Sequence, residues 1–276
     1  MSKKKIKMMT YIPLVFIGII SIVPFLWLVR SALMNNTEIF EFPPKMIPTK
    51  WLWSNFSEVF KVIDFKTYLL NTFIIIVPVI IGTVVTSCMC GYAFARLNFK
   101  YKNFWFAIVI ATMMLPSAVT LIPTFIMWSK LGAVNTFWPL ILPAFFGGGG
   151  FNIFLMRQFF TAIPEELDEA AILDGATRFQ IFWKIMLPLV KPAMLVVGFF
   201  TFMNTWNDFF NPLIYLNDPK KQTLALGLLQ LQGSYSSEWN LLMAASTLMT
   251  IPAVIIFFFG QKYFIQGISL TSGSKS

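Results

Sequence analysis

The chain is organised as long apolar runs separated by short polar segments. The runs fall at about 11–33, 67–96, 103–129, 136–160, 192–216 and 239–262. Each is long enough to cross roughly 30 Å of hydrocarbon as a helix. Helices are suited to that task because they satisfy their own backbone hydrogen bonds where water is absent. The pattern therefore predicts an all-α integral membrane protein, a single transmembrane domain over 1–276 with six transmembrane helices. Composition agrees: 57% of the residues are hydrophobic and only 12% are charged, against about 25% charged in a soluble domain.

The polar segments orient the predicted helices. A net charge of +9 would suit a nucleic-acid binder if it were gathered in a patch, but here it is distributed by loop. Lys3, Lys4, Lys5, Lys7, Arg96, Lys100 and Lys102 lie at one end of the spans, with Arg157, Arg178, Lys184, Lys191, Lys262 and Lys275. The opposite loops carry fewer cations, nearly neutralised by Glu38, Glu41, Glu58, Asp64, Asp218 and Glu238. The positive-inside rule then places both termini in the cytoplasm. The basic start "MSKKKIKMM" resembles the opening of a signal peptide. No small-residue cleavage site follows it and further spans do, so the first run is expected to stay as a helix.

Several chemistries drop out. The chain has no His, and Cys88 and Cys90, two residues apart on a helix, face nearly opposite ways and share neither a metal nor a disulfide. The run Gly147–Gly150 lacks the Gly-Lys-Ser/Thr of a phosphate loop. It reads instead as a weak point in the helix or a close helix crossing. Neither a catalytic residue nor a metal site is expected, and no cofactor on this chain.

Other features bear on a pathway. Pro116 and Pro123 interrupt the third run, as kinks in packed helices or as breaks lining a cavity. The fifth run holds Asn204, Trp206, Asn207, Asp208 and Asn211. A carboxylate inside a membrane is costly and is normally placed in a bundle interior or wet cavity. Asn204, Trp206, Asn207 and Asp208 are thus candidate pathway residues, with an interfacial helix-capping cluster as the other reading. In the outer connection of about 34–66, "WSNFSEVFKV" predicts a short surface helix near Ser54–Val62, its aromatic rings at the headgroup level or against a partner.

The oddest segment is "EELDEAAILDGATRFQIFWKIMLPLVKP", residues 165–192, where four of the first five residues are acidic. Pro164 suits the first helical position, and negative charge favours a helix N-terminus. Leu167, Ala170, Ala171 and Asp174 share a face, and Gly175 supplies a turn. A second amphipathic stretch follows before Pro188 and Pro192. An anionic inner leaflet recruits basic segments, so this helix–turn–helix of about 161–188 reads as a docking surface for a basic protein.

The segment resembles the signature of permease subunits of ATP-binding-cassette importers: Glu-Ala-Ala, three residues, Gly, nine residues, Ile, one residue, Leu-Pro. Glu169, Ala170, Ala171, Gly175, Ile185, Leu187 and Pro188 occupy its specified positions. "NFSEVF", "YAFARLNF", "IFLMRQFFTAIPEELDEAAILDGA" and "TWNDFFNPLIYL" extend the resemblance to carbohydrate importers, on the side of the maltose-type second permease. The resemblance implies a cytoplasmic coupling helix between the fourth and fifth spans, docked through Glu169, Ala170, Ala171, Asp174, Gly175, Leu187 and Pro188. It implies a second permease, two ATPase subunits holding ATP and Mg, and an extracytoplasmic sugar-binding protein. Oligosaccharides, disaccharides and glycerol phosphate are the implied substrates. The outer segment Asn217–Trp239 would reach the binding protein or merely connect spans. The tail "FIQGISLTSGSKS" departs from the family's usual ending. An ion-coupled transporter is the rival reading, but it would need titratable groups beyond Asp208 inside the membrane.

Overall fold

The computed structural model describes residues 3–234 and 238–272, with side chains for 11–229, 231 and 238–261. Among the described residues the chain is helical nearly throughout and contains no strand. In chain order the helices are α1 (Lys3–Ala32), α2 (Ser54–Val62), α3 (Phe65–Arg96), α4 (Lys102–Thr112) and α5 (Ser117–Lys130). There follow α6 (Gly150–Thr161), α7 (Glu166–Leu173), α8 (Arg178–Ile181), α9 (Lys191–Trp206), α10 (Phe210–Tyr215), α11 (Leu224–Ser234) and α12 (Trp239–Ser272). Short helical turns at Trp138–Ile141 and Leu142–Phe145 precede α6.

Four segments are long and apolar enough to span a membrane: Tyr11–Ala32, Phe65–Arg96, Trp138–Thr161 and Trp239–Gln261. Two bent helix pairs raise the number to as many as six. The third apolar run is not one rod, because α4 and α5 meet at 97°. Pro116, extended at ψ 135, stands at the break and cannot continue a helix from the residues before it. The fifth run also stops early. Its helix α9 ends at Trp206, and α10 restarts at Phe210.

Contacts divide the chain into two compact units. One holds the residues up to Lys66 together with Leu226–Pro252; the other holds Thr67–Ala225 and the chain from Ala253 onward. In the first unit, α2 occupies the stretch its amphipathic pattern predicts. Asn55, on its buried face, donates to the carbonyls of Ala32 (2.9 Å) and Met34 (3.0 Å), acceptors that the end of α1 would otherwise leave without partners. Asn240 donates its side-chain amide to Asn55 Oδ1 at 3.2 Å and its backbone N–H to Asn36 Oδ1 at 3.0 Å. Most of α1 is bare: from Tyr11 to Leu26 its large apolar side chains are exposed.

The second unit has its core beneath α7 and α8. Tyr92, Met156, Phe160, Ala171, Ile181, Phe182, Met186 and Val197 interlock there, with the Tyr92 ring centroid 5.5 Å from Phe160 and 5.0 Å from Phe182. The four-glycine run serves both roles its sequence allows. Gly147, Gly148 and Gly149 all have positive φ, so no helix passes through them and α6 starts at Gly150. Gly148 also lies against α3, where an added Cβ would sit 2.9 Å from the Thr83 Cα. The segment after Asn217, predicted to lie outside, is tied down over its described residues. Asn135 Oδ1 accepts the N–H groups of Asn217 and Asp218, Asn71 donates to the carbonyls of Lys220 and Gln222, and α11 buries Leu224, Leu226 and Leu231. The alternation "TLALGLLQL" hides a helical apolar face that a reading of its polar Gln and Ser overlooks.

Candidate functional site

The acidic segment folds as a short helix, a glycine turn and a second helix. Pro164 lies one residue outside the cap rather than in the first turn, and Glu165 is the N-cap. The Glu165 carbonyl accepts the N–H groups of Asp168 (2.9 Å) and Glu169 (3.2 Å). At the other end Gly175 adopts φ 80, and the Ala176 N–H reaches back to the Ala171 carbonyl at 2.9 Å, closing the helix with a left-handed turn. An added Cβ on Gly175 would touch nothing within 4 Å, so the position needs Gly for its backbone angle and not for space. Thr177 and Gln180 then form a reciprocal capping box that starts α8.

Beyond Ile181 the helix widens into a π-helical stretch, Phe182–Met186, continues through Leu187–Leu189, and bends by 74° into α9. Pro188 and Pro192 account for this. Each removes an N–H donor and crowds the carbonyl four residues earlier, and a π turn is one way to absorb the mismatch. The prolines were visible in the sequence; the π turn was not. Leu187 is half-buried and Pro188 exposed.

The two sides of α7 differ. Asp168 and Ala171 point into the unit and are 6% and 7% exposed. Glu166, Leu167, Glu169, Ala170, Ile172, Leu173 and Asp174 are exposed, Leu173 at 88%. Of the paired alanines, then, only Ala170 is open to a partner; Ala171 is part of the core. Asp168 is held by Arg96, with Nη1 at 3.3 Å from Oδ2, and the exposed Glu165 stands 3.9 Å from the same nitrogen. Arg96 also donates to the carbonyls of Phe160 and Ile163. The four clustered acids are therefore not equivalent: one is neutralised internally, one is a satellite of that pair, and Glu166 and Glu169 face outward. Arg96 carried a signal in the sequence, as a lone cation closing a long apolar helix, but only topology supplies its partner.

The second predicted cluster separates in the same way. Trp206 is 2% exposed and stacks on Phe202 with 5.4 Å between ring centroids. Among the four candidate pathway residues it is the one that the structure buries. The indole is large and apolar, and burial beside two phenylalanines covers it. Asn204 and Asn207 are exposed. Asp208, half-buried, accepts the backbone N–H of Asn211 at 3.1 Å and its side-chain amide at 2.9 Å, so it organises the first turn of α10. It also borders a cavity of about 60 Å³ with Thr72, Thr205 and Thr223. Among the described residues no group of three or more His, Cys, Asp or Glu could hold a metal ion.

A helical membrane protein whose loop between apolar spans carries a helix–glycine turn–helix with the Glu-Ala-Ala, Gly and Leu-Pro spacing is a membrane component of an importer. The chain belongs to the family of binding-protein-dependent transport system inner membrane components, which it matches over residues 84–270. It is 34% identical over 258 residues to the arabinooligosaccharides transport system permease protein AraQ of Halalkalibacterium halodurans, covering 92% of each chain. It is 30% identical over 246 residues to the sn-glycerol-3-phosphate transport system permease protein UgpE of Pectobacterium atrosepticum, covering 86% of this chain and 87% of UgpE. Its fold is similar to that of a chain in the crystal structure of a bacterial ABC transporter that imports the acidic polysaccharide alginate. There the TM-score is 0.79 at 23% identity, over 96% of this chain and 99% of that one.

Proposed function

We propose that this chain is one of two permease subunits of an ATP-driven sugar importer and that α7 is its coupling helix. The observation that carries the reading is the outward face of α7. Two carboxylates, Glu166 and Glu169, stand beside Ala170 and the bare side chains of Ile172 and Leu173. A small, acidic, partly apolar knob of this kind suits a basic-rimmed cleft in a partner protein. The partner is a separate ATPase, present in two copies and carrying ATP and Mg. Counting each bent pair as one span gives six spans and leaves both termini and α7 in the cytoplasm.

In this mechanism no bond is made or broken on the chain. Closure of the ATPase dimer displaces α7, and the displacement is passed to the spans through the core that holds Ala171. The second permease completes the pathway, and the bare apolar surface of α1 provides area for it and for lipid. An extracytoplasmic binding protein delivers the sugar, and Asn204, Asn207 and Asp208 offer amide and carboxylate groups to its hydroxyls. The substrate is an oligosaccharide or disaccharide, a reading supported by AraQ; glycerol phosphate is second, supported by UgpE.

The test is the intact mass of the tagged chain extracted from its native membrane in mild detergent. Recovery with a second permease and two ATPase copies is the expected result. A chain recovered alone, or as a homodimer without an ATPase, would overturn the reading.

A further inference from the structure

The coupling reading gives α7 a partner but does not say how its movement reaches the membrane helices. The search for that link leads to Arg96. It is the last residue of α3, and its side chain is 4% exposed. One guanidinium gathers three elements: Asp168 of α7, the Phe160 carbonyl in the last turn of α6, and the Ile163 carbonyl in the link between α6 and α7. The guanidinium is a planar, rigid fork with several donors, and it spans such an arrangement where a lysine ammonium would act as a single point. It also suits its surroundings, since carbonyls at helix C-termini lack intrahelical partners and carry partial negative charge.

We infer that Arg96 is a positioning residue for coupling, joining α7 through Asp168 to the inner end of α3 so that the two move as one body. The inference rests on the coupling reading of α7. The pair is shielded from water on both sides, with side-chain exposures of 4% and 9%, so it is screened little and is not readily exchanged for solvent. It engages through one contact. Asp168 Oδ1 and Arg96 Nε are buried without a hydrogen-bond partner, so the joint rests on the charge of the Nη1–Oδ2 pair. Glu169, next in sequence, faces the other way, which divides the labour: Glu169 meets the partner and Asp168 holds the chain.

The experiment places spin labels at Leu167→Cys on α7, outside the contact face proposed above, and at Tyr101→Cys beyond α3, positions 42% and 65% exposed. Cys90→Ser removes the partly exposed native thiol. Distances are measured in the purified assembly with and without Mg-ATP. The expected result is one narrow distribution that nucleotide does not change. Asp168→Asn, nearly isosteric but neutral, is expected to widen it about twofold or split it, and Asp168→Glu, larger but charged, to restore it. A nucleotide-dependent distance in the parent protein would overturn the inference. So would an unaltered distribution in Asp168→Asn, or Asp168→Glu behaving like Asn, since shape and not charge would then set the position. Loss of the ATPase from the preparation would retire the coupling reading instead. The comparison of the three side chains in the remaining chain would still decide whether the joint exists.

Discussion

Asp168 and Glu169 are consecutive residues that serve opposite sides of one helix: Asp168 is buried 3.3 Å from Arg96, and Glu169 is exposed. We predict that Glu169→Lys weakens ATPase binding while the chain inserts and folds normally. Placing like charge against a basic cleft costs several kcal/mol, and each 1.4 kcal/mol is about tenfold in affinity. The amount of ATPase retained by the tagged chain should fall at least about tenfold, with its thermal unfolding in detergent unchanged. Full retention would show that the acidic face is not the contact.

The glycine run yields a stability prediction that separates space from backbone angle. At Gly148 an added Cβ would meet the Thr83 Cγ2 at 2.7 Å and its Cα at 2.9 Å, with φ 65; at Gly132, with the same φ of 65, it would meet nothing. Gly148→Ala should therefore cost more than Gly132→Ala, by about 1–3 kcal/mol from overpacking. Gly18→Ala, in open space on α1 and without a positive φ, is the control for both. Thermal unfolding of the three variants should rank Gly148→Ala lowest; equal values for Gly148→Ala and Gly132→Ala would remove the close approach to α3 from the explanation.

Much of this architecture was legible because lipid imposes a simple rule on sequence. Long apolar runs, a basic end and the Glu-Ala-Ala spacing each have one strong physical reading. Ser54–Val62 was legible for a similar reason, since its alternation of Asn55, Val59 and exposed polar residues has a helical period. The breaks were harder. Pro116 announces a kink but not its 97° angle. The π turn at Phe182–Met186 is a compromise among two prolines and a core that must still receive Phe182 and Met186. Direction was hardest of all. Nothing in "EELDEAA" says that the third acid turns inward, because its partner, Arg96, is supplied by a helix 72 residues earlier. The burial of Trp206 was not legible, because an indole among amides suits a sugar site and a packed core equally well.

Asp208 makes a smaller, local prediction. Both of its oxygens receive hydrogen bonds from Asn211, so removing the carboxylate should loosen the first turn of α10. Loss of such a capping acceptor costs about 1 kcal/mol. Asp208→Ala should speed amide exchange at Asn211 by roughly the fivefold that this energy allows, and Asp208→Asn, which keeps one acceptor, should do less. If Ala and Asn leave exchange unchanged, the carboxylate is free for another task and its role as a cap is wrong.

The last prediction concerns pH and the unit built on α1 and α2. Glu38 is buried, and its carboxylate accepts both the hydroxyl and the backbone N–H of Thr49 at 2.6 Å. Those two bonds, the hydroxyl first, hold its carboxyl below the ordinary value of 4.5. A depressed carboxylate contributes stability that is complete above its unfolded value and disappears as pH falls through its folded one. The segment from Asn35 to Thr49 should accordingly be insensitive to pH down to about 4.5 and loosen below it. Emission from Trp51 and Trp53, which lie just beyond Thr49, provides the readout. Glu38→Gln keeps an oxygen acceptor but cannot ionise, so it should lose this acid transition and be less stable than the parent near neutrality. Thr49→Val, which removes only the hydroxyl, should move the transition to higher pH. An acid transition of the same midpoint in all three proteins would assign it to another carboxylate.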